Sequence, residues 1–350
     1  MLDTVLVTGG AGYVGAPLCQ ELLASGRRVV VLDSMLHGQG QVAEGLERSG
    51  AEVLRGDLRD AAARRRALRG VAAVGHLAAI VGDPACARDR RLSQAVNVEA
   101  TRAVIDEAEA SGVQLFVFAS TCSNYGRLAD PGVAIDEQGE LRPVSLYASQ
   151  KVAVERMLVG AAANGREAHA GEPGAAGAGG GHGAAAKANA GGMPAICLRL
   201  ATVYGVAPRM RFDLTVNEFT RELWANRRLE VYGRHFWRPY VHVGDVARAV
   251  RAVLDEPSGR LDGQVFNVGC SAENYRKLDL IQAIRAQTSG GVVAYVHREE
   301  DPRDYKVSFE KIRRELGFRT TMRVPDGIHE VLTALSSGAW PNPYDDALRN

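Results

Sequence analysis

Cysteine is scarce in this chain of 350 residues, and its distribution excludes two kinds of scaffold. No two cysteines form a C-x-x-C pair, and their number is odd: they are Cys19, Cys86, Cys122, Cys197 and Cys270. This pattern argues against a disulfide framework and against a structural zinc site. Because reduced cysteines are typical of the reducing cytoplasm, we expect a cytoplasmic protein with no bound metal.

The chain also lacks an excess of charge and any long apolar run. Its formal net charge is +1, so neither nucleic acid nor a membrane surface is expected as a partner. No apolar stretch is long enough to span a bilayer. The first residues, MLDTVLVTGG, carry no charged leader and predict a β-strand from the third or fourth residue. The length predicts two domains or one large α/β unit.

Short β-branched runs alternate with helix-like stretches from the start of the chain to about residue 120. The apolar runs include TVLVTGG, RRVVVLDS, VAAVGHLAA and VQLFVFAS, and helical segments such as GAPLCQELLASG lie between them. Apolar strands separated by helices are typical of a parallel sheet that is covered on both faces. We therefore predict an α/β fold with a Rossmann-type doubly wound parallel sheet.

The first apolar strand leads directly into a glycine-rich turn, VTGGAGYVG, which opens the next helix. Such glycines permit a tight turn and a close approach of the backbone to a pyrophosphate. Asp33 ends the second strand, where a carboxylate accepts hydrogen bonds from ribose hydroxyls and repels a 2′-phosphate. NAD is therefore predicted as the cofactor in preference to NADP. The predicted contacts in the turn are Gly9, Gly12, Tyr13, Val14 and Gly15.

A second region begins near Pro194 and mixes helices with strands. We expect an NAD-binding domain over residues 1–193 and a smaller C-terminal α/β lobe mainly over 194–350, with some segments of the latter returning to the first domain. The ligand is expected in the cleft between them.

A segment of unusual composition, Gly160–Gly192, separates the two regions. Of its 33 residues 24 are Gly or Ala, and none is aromatic or a branched aliphatic. Such a segment buries too little apolar surface to offset its ordering entropy, so it is predicted to be a flexible surface loop. Its histidines, His169 and His182, are expected to be solvated.

The stretch LYASQK places Tyr147 four residues before Lys151, on one face of a predicted helix. A tyrosine is a poor base at its ordinary pKa of about 10. We expect the neighbouring ammonium and the positive nicotinamide to lower the pKa of Tyr147. Such a tyrosine can take the proton from a substrate hydroxyl while the carbinol hydride moves to NAD.

Several segments together resemble the extended short-chain dehydrogenase/reductases that act on nucleotide sugars. They are TGGAGYVG, GDL (56–58), HLAA (76–79), STCSNYG (120–126), YASQK (147–151) and RPYVHVGDVARA (238–249). The resemblance covers nearly the whole chain apart from the Gly/Ala-rich segment. It implies that Thr121 hydrogen-bonds the reacting sugar oxygen beside Tyr147. It further implies cofactor contacts at Asp57, Leu58, Leu77, Ala78, Ala79 and Asn97, and substrate contacts at Arg238 and Arg303.

Departures from the family pattern bear on the reaction. Relatives that eliminate water carry Asp-Glu after the catalytic Thr, whereas this chain has Cys122 and Ser123, which form no good acid–base pair. Thr202 stands where the family often has a sugar-contacting Asn. The stretch GVAPRMRFDLTVNEFTREL, together with AAIVGDPAC, RLATVYG and DPRDYKVS, resembles a branch that contains GDP-heptose 4-dehydrogenases and related nucleotide-sugar epimerases. This resemblance makes Arg209, Arg211 and Asn217 candidate contacts to substrate phosphate or base.

These patterns leave the outcome of the reaction open. Return of the hydride to the other face of a keto sugar, with C4 as the favoured position, gives epimerisation, and release of the keto sugar gives net dehydrogenation. A dehydratase or 3,5-epimerase that uses Cys122 as an acid, and a non-catalytic NAD-sensing protein, are less favoured alternatives. The resemblance also implies a homodimer formed through the helix before Ser111 and the helix after Tyr147.

Overall fold

A seven-stranded parallel sheet forms the centre of the molecule. The computed structural model describes residues 2–128, 130, 132–170, 192–257, 259–296 and 303–350. The strands in these ranges are β1 Thr4–Thr8, β2 Arg28–Asp33, β3 Glu52–Arg55, β4 Ala73–His76, β5 Leu115–Thr121, β6 Ala134–Ile135, β7 Ala195–Leu200, β8 Thr202–Tyr204, β9 Arg228–Val231, β10 Trp237–His242, β11 Val265–Val268, β12 Asn274–Arg276, β13 Val292–Tyr295 and β14 Lys306–Val307. The order in the large sheet is β3-β2-β1-β4-β5-β7-β11.

Helices connect these strands and cover the sheet. Those in the described ranges are α1 Gly15–Ala24, α2 Gly40–Arg48, α3 Ala61–Ala67, α4 Asp83–Arg88, α5 Arg90–Gln94, α6 Thr101–Ala110, α7 Leu146–Ala170, α8 Thr215–Trp224, α9 Val243–Asp255, α10 Lys277–Arg285, α11 Glu310–Leu316 and α12 Val324–Ser336. A π-helical turn, Ala95–Ala100, joins α5 to α6, and a 3₁₀ turn, Cys122–Tyr125, follows β5.

The central strand β1 shows why these strands are apolar throughout. All five of its residues are buried. Val5 and Val7 pack on one face with Leu18 of α1 and Val250 of α9, whereas Leu6 packs in a separate cluster on the other face. A parallel sheet covered on both faces needs such continuous apolar strands. The prediction of a Rossmann-type doubly wound sheet is confirmed.

Segments beyond residue 193 return to this sheet. β7 pairs with β5, and β11 pairs with β7, both in parallel register. The separate lobe is built from β8 to β10, β12, β13, α8, α10 and α12. Its core contains Phe219 and Leu223 of α8, Leu280 of α10 and Ile328 of α12.

The Gly/Ala-rich segment is in part helical. Helix α7 begins at Leu146 and ends at Ala170, so it continues past Gly160, where the sequence was expected to become a loop. Alanine has the highest helix propensity, which explains why an Ala-rich sequence extends a helix that is already packed at its start. The rest of the predicted loop, including His182, lies outside the described residues.

Among the residues that the structure describes, no helix is long and apolar enough to cross a membrane.

Candidate active site

A cavity of about 840 Å³ lies at the carboxyl edge of the large sheet and reaches into the smaller lobe. Its walls come from the ends of β1, β2, β4 and β5, from the start of α7, and from β8 to β10. In doubly wound sheets this edge is where ligands bind, because the loops after the strands diverge there.

The glycine-rich turn forms one end of the cavity. Gly9 has a φ of +70°, and a Cβ added there would lie 2.8 Å from the backbone of Ala78. A Cβ at Gly15 would overlap the carbonyl oxygen of Gly9, so the turn closes tightly onto the start of α1. The five residues predicted to contact the dinucleotide in this turn all line the cavity. A turn of this shape, at the N-terminus of a helix, fits a pyrophosphate.

Asp33 is positioned by backbone hydrogen bonds at the end of β2. Its carboxylate accepts hydrogen bonds from the N–H of Ala11 at 3.0 Å and from the N–H of Met35 at 2.9 Å. Burial raises the pKa of Asp33, while these two hydrogen bonds act in the opposite direction. The side chain borders the cavity beyond the glycine turn, where it can accept hydrogen bonds from a ribose. Asp57, Leu58, Leu77, Ala78 and Ala79 also line this end.

Asn97 does not border the cavity, contrary to expectation. It lies in the π-helical turn and is 3% exposed. Its Oδ1 accepts the N–H of Ile80 at 2.7 Å, and its Nδ2 donates to the carbonyl oxygen of Ile80 at 3.0 Å and to Gln150. Asn97 therefore holds the loop after β4 that forms the cavity wall.

The three candidate catalytic side chains all line the cavity. Thr121 ends β5, and Tyr147 and Lys151 lie one turn apart at the start of α7. The Lys151 ammonium lies 5.8 Å from the centroid of the Tyr147 ring and donates a 2.7 Å hydrogen bond to the carbonyl oxygen of Ala119. Thr121 Oγ1 accepts a hydrogen bond from the N–H of Ser123 at 3.1 Å.

The electrostatics of this group correct one expectation. Burial raises the pKa of Tyr147 above its ordinary value. Burial also lowers the pKa of Lys151 to about 8, because the ammonium is removed from water. In the protein alone the pKa of the phenol is therefore not lowered as expected, because burial outweighs the nearby positive charges that would lower it. Arg211 and Arg303 act in that direction, whereas Cys86 and Asp83 raise the pKa further.

Cys122 faces away from the cavity, so the expected substrate contact is not formed by this side chain. Its sulfur lies 3.2 Å from the carbonyl oxygen of Arg199, and the residue is 1% exposed. Burial raises the pKa of the thiol well above its usual range. Ser123, in contrast, lines the cavity.

The smaller lobe contributes most of the expected substrate residues. Thr202, Arg209, Arg211, Arg238 and Arg303 line the cavity. Arg211 forms a bidentate pair with Asp213, and Arg209 donates to the carbonyl oxygen of Arg349 at 2.8 Å. Burial lowers the pKa of Arg209 to about 10.

Asn217 is not brought to the cavity. It is fully buried, and its Oδ1 accepts the N–H of Gly205 at 3.0 Å. Its Nδ2 donates to the Tyr13 hydroxyl at 3.1 Å and to the carbonyl oxygen of Arg211 at 3.0 Å. Asn217 thus joins the smaller lobe to the glycine-rich turn and does not line the cavity.

Sequence reasoning missed several residues of the site. Asp83, Ser120, Lys277 and Tyr305 line the cavity. Glu155 lies behind the cavity, one turn beyond Lys151 on the same face of α7. The four-residue spacing of Tyr147, Lys151 and Glu155 is a sequence signal that could have identified Glu155. Tyr305 reaches the site from a remote part of the chain, two residues after Arg303, which was predicted to contact the substrate.

Comparisons with known proteins agree with this geometry. The model of the "NAD dependent epimerase/dehydratase family" matches residues 5–173 and 180–269. The chain is 28% identical over 372 residues to a UDP-glucose 4-epimerase of Streptomyces lividans, covering 99% of each chain. It is 30% identical over 340 residues to a dTDP-glucose 4,6-dehydratase of Streptomyces griseus, covering 94% of this chain and 92% of the relative.

A solved structure is similar over nearly the same length. The UDP-glucose 4-epimerase of Thermus thermophilus, in complex with NAD, superposes with a TM-score of 0.76 at 26% identity, covering 95% of this chain and 99% of that chain. The family match spans well over half of the chain. The chain therefore belongs to the NAD-dependent epimerase/dehydratase family, and NAD is its cofactor.

Proposed function

We propose that this enzyme epimerises a nucleotide-diphosphate sugar at C4 through a keto-sugar intermediate. The observation that carries the proposal is that Thr121, Tyr147 and Lys151 line the same cavity as the glycine-rich turn and Asp33. A single cavity can therefore hold a dinucleotide and a sugar next to one proton acceptor.

The protein residues divide the work at the reacting carbon. Bound NAD supplies a hydride acceptor that can also return the hydride. Tyr147 accepts the proton of the sugar hydroxyl, and Thr121 hydrogen-bonds the same oxygen and orients it. Because burial raises the pKa of Tyr147, its ionisation depends on positive charge nearby, and Arg211, Arg303 and the Lys151 ammonium are the protein's sources.

The geometry of Cys122 supports epimerisation over elimination of water. An elimination needs an acid and a base beside the catalytic Thr. Cys122 points at the carbonyl oxygen of Arg199 and its thiol pKa is raised, so it supplies neither group to the cavity. Ser123 reaches the cavity but is not an acid of useful strength at neutral pH.

The arginines of the smaller lobe support a diphosphate-bearing substrate. Arg209 and Arg238 are buried and line the cavity. Buried guanidinium groups bind phosphate oxygens through charge-assisted hydrogen bonds. The relatives named above act on UDP-glucose and dTDP-glucose, which carry such a diphosphate.

We also propose that the enzyme is a cytoplasmic homodimer that pairs through α6 and α7. All five cysteines are free, and four of them are buried, which is consistent with a reducing compartment. Light scattering of the purified protein tests the dimer. A mass near twice the monomer's 37.4 kDa supports it, and a mass near that of the monomer contradicts it.

The reaction is tested by incubating the NAD-loaded enzyme with UDP-glucose, dTDP-glucose and GDP-mannose and following the sugar by NMR. We expect inversion at C4 without net consumption of NAD. Tyr147→Phe should lose at least about a hundredfold in turnover while retaining NAD, and Tyr295→Phe, on an exposed strand, should not change turnover. Accumulation of reduced cofactor with a keto sugar would identify a net dehydrogenase instead. Full turnover by Tyr147→Phe would contradict the mechanism.

A further inference from the structure

The loop that follows β8 is packed against the glycine-rich turn. Tyr13, in that turn, donates a 2.7 Å hydrogen bond to the carbonyl oxygen of Gly205. The ring of Tyr13 also lies in one buried cluster with three side chains of the loop, Ala207, Met210 and Phe212. Arg209 and Arg211 alternate with these buried side chains and line the cavity instead. The smaller lobe therefore brings two arginines into the cavity on a loop that contacts the glycine-rich turn.

Arg209 uses little of its hydrogen-bonding capacity within the protein. Its Nη2 donates to a neutral partner, the carbonyl oxygen of Arg349, at 2.8 Å. Arg211 forms a bidentate ion pair with Asp213, whereas no carboxylate of the described residues forms an ion pair with Arg209. The Nη1 of Arg209 has no hydrogen-bond partner in the described part of the chain, and, in contrast to its Nε, it is not buried. Arg209 thus presents an accessible guanidinium N–H to the cavity.

The titratable groups near Arg209 belong to the end of the cavity that fits the adenosine half of NAD. Burial raises the pKa of Asp33, and the charge of Arg209 acts in the opposite direction. Burial lowers the pKa of His37 to about 4, and the charges of Arg209 and Arg211 lower it further. The Asp33 carboxylate in turn accepts the N–H of Ala11 in the glycine-rich turn at 3.0 Å. Arg209 therefore lies near both the candidate ribose acceptor and the turn that fits a pyrophosphate.

We propose that Arg209 of the smaller lobe binds the pyrophosphate of NAD and is not a contact of the substrate. This inference goes beyond the proposed function, because it requires only that NAD is the cofactor. The pyrophosphate carries the negative charge of NAD, and a guanidinium binds phosphate oxygens through charge-assisted hydrogen bonds. Burial and the neighbouring charge of Arg211 lower the pKa of Arg209 to about 10, so an anion beside the two arginines relieves an existing repulsion. With both ligands bound the cavity holds two diphosphates, and Arg238 remains for that of the substrate.

The test measures two affinities by calorimetry in each variant. One is the affinity of NAD for the full chain after bound NAD has been removed, and the other is that of UDP, dTDP and GDP for the NAD-loaded protein. Arg209→Met should lower NAD affinity at least about tenfold, because it removes a charge-assisted hydrogen bond. Its affinity for the nucleoside diphosphates should stay within about threefold of the wild type. Arg238→Met should show the reverse pattern.

A matched control and a second variant keep the test decisive. Arg142→Met removes a guanidinium from an exposed ion pair with Glu140 and should leave both affinities unchanged. Arg209→Lys keeps the charge but loses the planar fork of donors, so it should bind NAD more tightly than Arg209→Met and less tightly than the wild type. If Arg209→Met fails to fold, Arg209→Lys carries the test with the same expected loss of NAD affinity alone. Circular dichroism shows which variants are folded.

Three results would overturn the inference. They are a folded Arg209→Met variant with the wild-type affinity for NAD, one that loses affinity for the nucleoside diphosphates alone, and one that loses both affinities equally. The NAD measurement decides the first of these even if none of the nucleoside diphosphates binds. None of the three bears on the reaction at C4, which the NMR assay of the sugar tests separately.

Discussion

Glu155 and Arg199 form a buried ion pair directly behind the candidate catalytic residues. Arg199 Nη2 lies 2.8 Å from Glu155 Oε2, and the two side chains are 6% and 4% exposed, Arg199 first. Glu155 also accepts hydrogen bonds from Ser120 Oγ and from Asn124 Nδ2. Because Glu155 shares a helix face with Tyr147 and Lys151, the pair ties that face of α7 to β5 and β7.

We expect Glu155→Gln to destabilise the protein by about 3–5 kcal/mol, because it leaves the Arg199 charge buried without a counter-charge. Urea unfolding monitored by circular dichroism measures this change. The control is Glu140→Gln, which breaks an exposed pair with Arg142 and should not change the unfolding midpoint. Equal effects of the two variants would show that burial of the Glu155–Arg199 pair has no energetic consequence.

Asp33 is expected to determine cofactor affinity. Replacing Asp33 by Asn removes the negative charge of the side chain that accepts hydrogen bonds from the ribose. Each hydrogen bond to a charged acceptor contributes about 1.5–3 kcal/mol, so NAD affinity should fall by roughly tenfold to a hundredfold. NADP affinity should fall less, because the repulsion of its 2′-phosphate is removed. Fluorescence titration of both dinucleotides measures the ratio. Asp3→Asn, at an exposed position before β1, is the matched control, and an unchanged NAD-to-NADP ratio in Asp33→Asn would refute the role.

Cys122 is expected to be dispensable for the chemistry. Its thiol faces the carbonyl oxygen of Arg199, and a serine hydroxyl can donate to the same atom. Turnover of Cys122→Ser should stay within about threefold of the wild type, since loss of a general acid costs on the order of a hundredfold or more. Steady-state kinetics on the identified substrate decide the point. A loss of that size with retained NAD binding would restore Cys122 as an acid and with it the elimination reaction.

Lys151 is expected to make stability depend on pH. Its pKa is about 8 in the folded protein and 10.5 as an ordinary lysine, so between these values the unfolded chain binds a proton that the folded chain does not. The contribution of Lys151 to the free energy of unfolding therefore rises with pH from about 8 to about 10.5. The free energy of unfolding of Lys151→Met minus that of the wild type should therefore be larger at about pH 7 than at about pH 10. Urea unfolding of both proteins across this range measures the difference, and a pH-independent difference would contradict the lowered pKa.

Local patterns were sufficient to predict the sheet and its glycine-rich turn. The apolar residues of each strand β1, β2, β4 and β5 are consecutive in the chain, and strand, turn and helix N-terminus also follow one another directly. Asp33, Tyr147 and Lys151 were found for the same reason, because their spacing from a strand end or from each other is set by regular geometry. The predicted end of α7 was wrong, because the composition of the Gly/Ala-rich segment suggested disorder, whereas alanine favours a helix.

The direction of each side chain depended on contacts between remote parts of the chain. Cys122 and Ser123 are neighbours in sequence, yet the 3₁₀ turn after β5 turns Cys122 towards Arg199 and Ser123 towards the cavity. Asp83 reaches its charge partner only because Arg303, far along the chain, folds back over the same cavity. The amino-acid pattern thus established the fold class, the cofactor and the identity of the candidate catalytic residues. Packing between distant segments established which side chains reach the cavity and how burial shifts their pKa values, because desolvation exists only once those segments are in contact.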